Sequence, residues 1–157
     1  MNAITKKIQQ NLNEAKLDVN SYIKSVENVI KKYFPKSFIS VSFSTNIVPS
    51  ILVRFAIGKD KSEWSNGIWQ NDPMWHTIHI GMGQIKKDGE IPEKLTAESP
   101  VAGNIMTKDF KRIKVGFRKK TGTPDQVLKH LDAFYKKAKQ LFVANKDKIA
   151  DIVKDKY

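Results

Sequence analysis

The sequence predicts an α+β domain, in which a mainly antiparallel sheet of four or more strands carries two long helices on one face. Three observations lead to this prediction. Apolar residues recur every three or four positions at both ends of the chain, as in amphipathic helices. Between the two ends they alternate with polar residues, as in half-buried strands. Helices that flank a central run of strands are typical of α+β domains.

The first predicted helix covers residues 4–34, where apolar residues follow each other in steps of three and four. Pro35 disfavours the helical conformation in the residue before it, so the helix should end near Phe34. The stretch from Asp18 to Ser21 contains weak helix formers that can cap a new segment, and a break is therefore expected there.

Four strands are predicted between the helices, over residues 38–44, 50–58, 75–82 and 110–119. The first two should pair as a hairpin. The long connection at 83–110 is expected to hide a further short strand or hairpin, because unstructured loops of this length are uncommon. In the fourth strand Ile113, Val115 and Phe117 should face the core.

The last predicted helix covers residues 123–157, and its start is clearly marked. Thr123 is a suitable N-cap, Pro124 suits the first helical position, and Gln126 completes a capping box. Its apolar stripe extends to Ile152 and Val153.

Composition excludes several classes of protein. The chain has 157 residues, about one domain, so we expect a single domain over 1–157. It has no cysteine, which excludes disulfides and thiolate chemistry. No apolar run reaches the roughly 18 residues of a membrane span. The N-terminal segment lacks the apolar core of a secretory signal, which predicts a cytoplasmic protein.

The net charge of +12 is concentrated in one segment. Residues 111–122 hold six basic and no acidic residues, which is half of the total. If 110–119 is a strand, alternation places Arg112, Lys114 and Arg118 on one face. With polar residues of the other strands they would form a basic sheet face that binds an anion, with nucleic acid as the leading partner. The predicted anion-binding residues are Arg54, Lys111, Arg112, Lys114, Arg118, Lys119 and Lys120.

Two simpler interpretations of the charge stay open. Of the 28 basic residues 25 are lysine, which an AT-rich genome would also produce. An exposed antiparallel face is ordinarily polar, and strand lysines protect sheet edges from aggregation.

Histidines and tryptophans are the other candidate site residues. His76 and His79 lie three apart, which on a strand puts them on opposite faces, so we predict no metal site. The glycines at 81 and 83 lack the third glycine and the following helix of a dinucleotide site, so we predict no cofactor. His79 is the one catalytic candidate, as a general base beside Arg112 or Lys114. Trp64, Trp69 and Trp75 would either contact a ligand or partner or complete the core.

Three functional hypotheses follow. The first is a non-enzymatic protein that binds nucleic acid through its basic sheet face. The second is a protein-interaction or inhibitor module that binds an acidic protein surface through the loop of Trp64 and Trp69. In size and general character the chain resembles accessory proteins of phages and mobile elements, although no family motif carries this likeness. The third is an enzyme for a phosphate-containing substrate, with His79 as base and Arg112 and Arg118 stabilising charge.

Overall fold

The computed structural model describes residues 18–45, 48–57, 74–83, 89–99 and 104–149. Within them the helices are α1 (Val19–Tyr33), α2 (Pro124–Ala144) and a short 3-10 helix (Lys146–Lys148). The strands are β1 (Phe38–Ser44), β2 (Ser50–Ala56), β3 (Trp75–Gly81), β4 (Leu95–Glu98), β5 (Asn104–Met106), β6 (Arg112–Lys114) and β7 (Lys120–Gly122). The predicted α+β class is confirmed.

Helix α1 begins at the predicted break. The carboxylate of Asp18 caps the helix and accepts a hydrogen bond of 2.7 Å from the amide of Ser21. The helix ends before Pro35, where the amide of Phe34 still donates to the carbonyl of Ile30. Residues 4–17 of the predicted helix lie outside the described part of the chain.

Helix α2 has the predicted start and an earlier end than predicted. Thr123 and Gln126 form the capping box, each side chain accepting from the other's amide. The helix ends at Ala144, because both the backbone amide and the side chain of Asn145 bind the carbonyl of Leu141. The prediction of a helix that continues beyond 144 is therefore wrong up to Ile149, and Ile152 and Val153 are outside the described residues.

The main sheet has five antiparallel strands in the order β1-β2-β3-β4-β7. Both helices cover one face of it. The apolar side chains of β2, β3 and β4 on that face are fully buried, whereas those of the edge strand β1 are partly exposed. At its centre the ring of Phe55 lies 5.0 Å from Phe34 of the α1 end and 5.5 Å from Tyr135 of α2, measured between centroids. These ring contacts join the sheet to both helices in one core.

The predicted fourth strand of the main sheet, 110–119, is wrong. Strand β6 pairs instead with β5 in a separate two-stranded sheet, and the chain rejoins the main sheet only at β7. The reason is local, because Phe110 and Gly116 adopt positive φ angles of 63° and 74°, whereas regular strands have negative φ angles. The side chains of Ile113, Val115 and Phe117 nevertheless pack on the core as predicted.

The expectation of hidden strands within 83–110 is confirmed by β4 and β5. We call residues 104–114 the hairpin, since β5 and β6 are joined by the turn 107–111. In the described residues, no helix is both long enough and apolar enough to cross a membrane.

Candidate functional site

The outer face of the main sheet holds polar side chains with little net charge. Cross-strand register aligns Ser40, Arg54 and Thr77 in one row. The next row aligns Leu52, His79 and the acidic Glu98. Trp75 lies at the end of β3, is half-buried and pairs with Ala56. The described part of this face thus has Arg54 and Glu98 as its charged residues, and the basic strand expected beside them is absent.

His79 therefore has neighbours other than those predicted. It lies on the outer face, as expected, but its cross-strand partners are Leu52 and Glu98. The expected contact with Arg112 or Lys114 is wrong, because β6 belongs to the other sheet. The arrangement that would make His79 a general base beside two cations is not formed.

His76 is a core residue. It points to the inner face, where its Nε2 lies 2.7 Å from the hydroxyl of Tyr135. Burial lowers its pKa from 6.5 to about 3, so the ring is neutral at physiological pH. Among the residues with described positions, no group of three His, Asp or Glu side chains could hold a metal ion.

Trp64 and Trp69 lie outside the described residues, and so does the loop of the second hypothesis.

Two of the predicted cations lie close to the main sheet. Lys119 is 3.9 Å from the carboxylate of Glu98, and Lys120 pairs with Ala97 at the sheet edge.

Most of the positive charge of the described residues lies in the segment 104–149. Residues 104–149 contain 13 Lys and Arg and 4 Asp and Glu, a net charge of +9. The described residues between 18 and 99 contain 6 Lys and Arg and 5 Asp and Glu, a net charge of +1. The hairpin, the segment that follows it and α2 therefore form a strongly basic part of the molecule.

Two grooves cross this basic part, and both lie between the segment 107–118 and α2 with its 3-10 extension. The first, which we call the aromatic groove, has a volume of about 620 Å³. Its cations are Lys114, Arg118 and Lys137, and none of its described lining residues is acidic. Its remaining lining residues are Val115, Gly116, Phe117, His130, Ala133 and Phe134.

The wall of the aromatic groove is held firmly against α2. The ring of Phe117 meets His130 and Phe134 edge-on, with centroids 5.2 and 5.1 Å apart. The Nε2 of His130 donates a hydrogen bond of 2.6 Å to the carbonyl of Arg118. Glycine is required at 116, where φ is 74° and the chain bends. Lys114 and Arg118 are thus exposed cations on a fixed backbone.

The second, which we call the hairpin groove, has a volume of about 610 Å³. Its charged lining residues are the cations Lys108, Lys111, Arg112 and Lys148 and the carboxylates Asp109 and Asp147. The hydrogen bond from Thr107 lowers the pKa of Asp109, and nearby Lys111 and Lys148 lower it further. The hairpin groove thus has a net charge of +2.

The turn of the hairpin presents an aromatic side chain to solvent. Phe110 is 79% exposed, the highest value among the large apolar residues with described surroundings. The buried Thr107 organises the turn: its carbonyl accepts from the amide of Phe110 at 3.0 Å, and its hydroxyl accepts from the amide of Lys111 at 3.0 Å. The amide of Lys108 donates to the carbonyl of Lys148, which ties the turn to the 3-10 helix.

Comparisons with models of protein families, with characterised proteins and with solved structures gave no match.

Of the seven predicted anion-binding residues, four line the two grooves: Lys111, Arg112, Lys114 and Arg118. Arg54 faces away from them on the main sheet. Sequence reasoning missed three groove cations, which are Lys108 in the hairpin turn and Lys137 and Lys148 of α2 and its extension. It also missed the exposed Phe110. Only the position of Phe110 directly before the basic run offered a signal.

Proposed function

We propose that this protein binds nucleic acid without chemical turnover, through the two basic grooves. We call the grooves together the basic surface. The observation that carries the proposal is the concentration of seven cations and two carboxylates along one continuous wall, residues 107–118 against α2. The proposed contact therefore lies on the hairpin and helix, and not on the sheet face considered from sequence.

The chemistry of the basic surface suits a phosphate backbone. Cations that neutralise successive phosphates release condensed counterions, and this release provides most of the affinity in sequence-independent binding. The two grooves lie one after the other along the same segment, so a single strand can follow both. Ligand approach is eased at Gly116, which has no side chain.

The make-up of the basic surface favours binding that is independent of base sequence. Five of its seven cations are lysines, which act as point charges on phosphates. Readout of base edges relies mainly on arginine and on amide side chains. Arg112 and Arg118 are its two arginines, and they lie in different grooves.

The test is the salt dependence of binding by the triple variant Arg112→Ala, Lys114→Ala, Arg118→Ala. We expect affinity for a labelled oligonucleotide to fall on the order of 100-fold at about 50 mM salt. The slope of log K against log salt should become shallower by about 2, because up to three phosphate contacts are lost. Fluorescence anisotropy over a salt series measures both values.

A matched control removes three charges elsewhere. Lys24, Lys31 and Lys36 are exposed on or just after α1 and line neither groove. Their triple replacement by alanine changes net charge equally and should keep affinity within about threefold. Wild-type binding without salt dependence, or equal losses in both triple variants, would contradict the proposal. Binding to polyglutamate but to no oligonucleotide would favour an acidic protein partner instead.

A further inference from the structure

Phe110 is exposed in a conformation that aromatic residues rarely adopt. Its φ of 63° makes it the one non-glycine residue with positive φ among those described. A left-handed backbone is unfavourable for an L-residue, and a bulky side chain there is unusual. The hydrophobic effect gives no reason for this position, because the ring is 79% exposed. A strained backbone conformation at a residue whose side chain is exposed points to a role in function rather than in folding.

The surrounding turn fixes the backbone of Phe110. The backbone on both sides of Phe110 is bound to Thr107, whose own amide donates to the carbonyl of Lys111 at 2.9 Å. Thr107 itself is buried, and Lys108 is tied to the 3-10 helix. A fixed turn presents an aromatic side chain with little loss of conformational entropy on binding.

The charges beside the ring identify the kind of ligand. Lys108 precedes Phe110 by two residues, and Lys111 and Arg112 follow it directly. All three cations line the hairpin groove, together with the carboxylate of Asp109, which directly precedes Phe110 and lies 3.8 Å from the ammonium group of Lys111. An aromatic face between cations is the arrangement by which proteins hold single strands, with bases stacked on the ring and phosphates on the cations. In a duplex the bases are already stacked on each other and are not available to a side chain at the surface.

We infer that Phe110 stacks on an unpaired base, so that the basic surface prefers single-stranded to duplex nucleic acid. The inference rests on the proposed function and names its substrate class. DNA and RNA strands share this chemistry, and the binding experiment compares them.

The experiment measures binding of an oligothymidylate and an oligouridylate of about 20 nucleotides, and of a duplex of the same length. Phe110→Ala should lower affinity for the single strands by about 5- to 100-fold. Duplex affinity should stay within about twofold, because phosphate contacts are unchanged. Phe110→Trp should retain single-strand affinity, whereas Phe110→Leu, which keeps an apolar side chain without a ring, should lose it.

Phe110→Gly separates binding from folding. Glycine adopts positive φ freely, so this variant should have a Tm at or above that of the wild type and still lose single-strand preference. Val143→Ala is the matched control, since Val143 is an exposed apolar residue of α2 that lines neither groove. It should leave binding unchanged.

The outcomes distinguish this inference from the proposed function. Equal affinity of wild type and Phe110→Ala for single strands, with the groove triple variant still impaired, overturns the stacking role alone. An equal loss on duplex and single strands also overturns it. If wild type binds neither single strands nor duplex, both proposals fail.

Discussion

The main sheet and the hairpin differ in what their side chains contact. Phe55, Ile78 and Ile80 of the main sheet are fully buried beneath the two helices. In β6 of the hairpin, Arg112 and Lys114 are exposed and only Ile113 turns inward. The difference indicates that stability resides in the sheet and helices, whereas the ligand contacts that we propose reside in the hairpin and its groove walls. Substitutions in the two regions should therefore have separable effects.

The largest expected effect is that of Phe55→Ala. Its ring contacts Phe34, His76 and Tyr135, so truncation leaves a cavity where sheet and helices meet. The free energy of unfolding should fall by about 3–5 kcal/mol in urea denaturation. Phe110→Ala, the matching truncation in the hairpin, should change it by less than about 0.5 kcal/mol. Similar losses of unfolding free energy in both variants would contradict the view that stability resides in the main sheet and not in the hairpin.

A second effect is a loss of stability in mild acid that originates in the main sheet. Burial lowers the pKa of His76 to about 3 from 6.5, so the unfolded chain takes up this proton first as the pH falls. The contribution is complete above pH 6.5 and is lost progressively down to about pH 3. By pH 5 the loss amounts to about 2 kcal/mol.

Urea denaturation at pH 7 and pH 5 tests this assignment. The reference is His76→Leu with Tyr135→Phe, which removes both members of the buried hydrogen bond and leaves no unpaired group. The difference in stability between the two pH values should be smaller in this double variant by about 2 kcal/mol. An unchanged difference would show that His76 is not responsible.

The smallest effect concerns the start of α2, which supports both regions. Thr123→Ala removes half of the capping box and should cost about 1 kcal/mol in thermal or urea denaturation. Groove affinity, measured well below Tm, should not change. Thr121→Ala, two residues earlier on the exposed end of the sheet, is the control and should cost less. A large loss of affinity in Thr123→Ala would show that binding depends on the stability of this helix end.

Local sequence signals were sufficient for much of the fold. Strands β1, β2 and β3 alternate over seven residues each, and the caps at Asp18 and Thr123 are short-range hydrogen bonds that residue type alone predicts. The strands from β4 to β7 have three or four residues, too few for a period to be recognised.

The candidate site was only partly predictable, for physical reasons. The run 110–119 alternates like one strand, and nothing in its composition shows that Phe110 adopts a conformation that aromatic residues avoid. Lys137 resembles any exposed helix lysine, and only tertiary packing brings it opposite Lys114 and Arg118 in the aromatic groove. The sequence alone predicts that residues 111–122 are rich in positive charge. Which surface of the molecule these residues form depends on strand pairing, which the sequence does not reveal.

The place of the hairpin in the topology makes it an exchangeable module. Strands β4 and β7 are antiparallel neighbours, and the chain leaves the sheet after one and returns at the other. A short turn of two to five residues is enough to join such neighbours. An insertion at this point can therefore vary in length and charge without any change in strand order, provided that it supplies apolar side chains equivalent to Ile105 and Val115. Evolution or protein design can thus change the charge and the exposed side chains of this region while the sheet and helices stay the same.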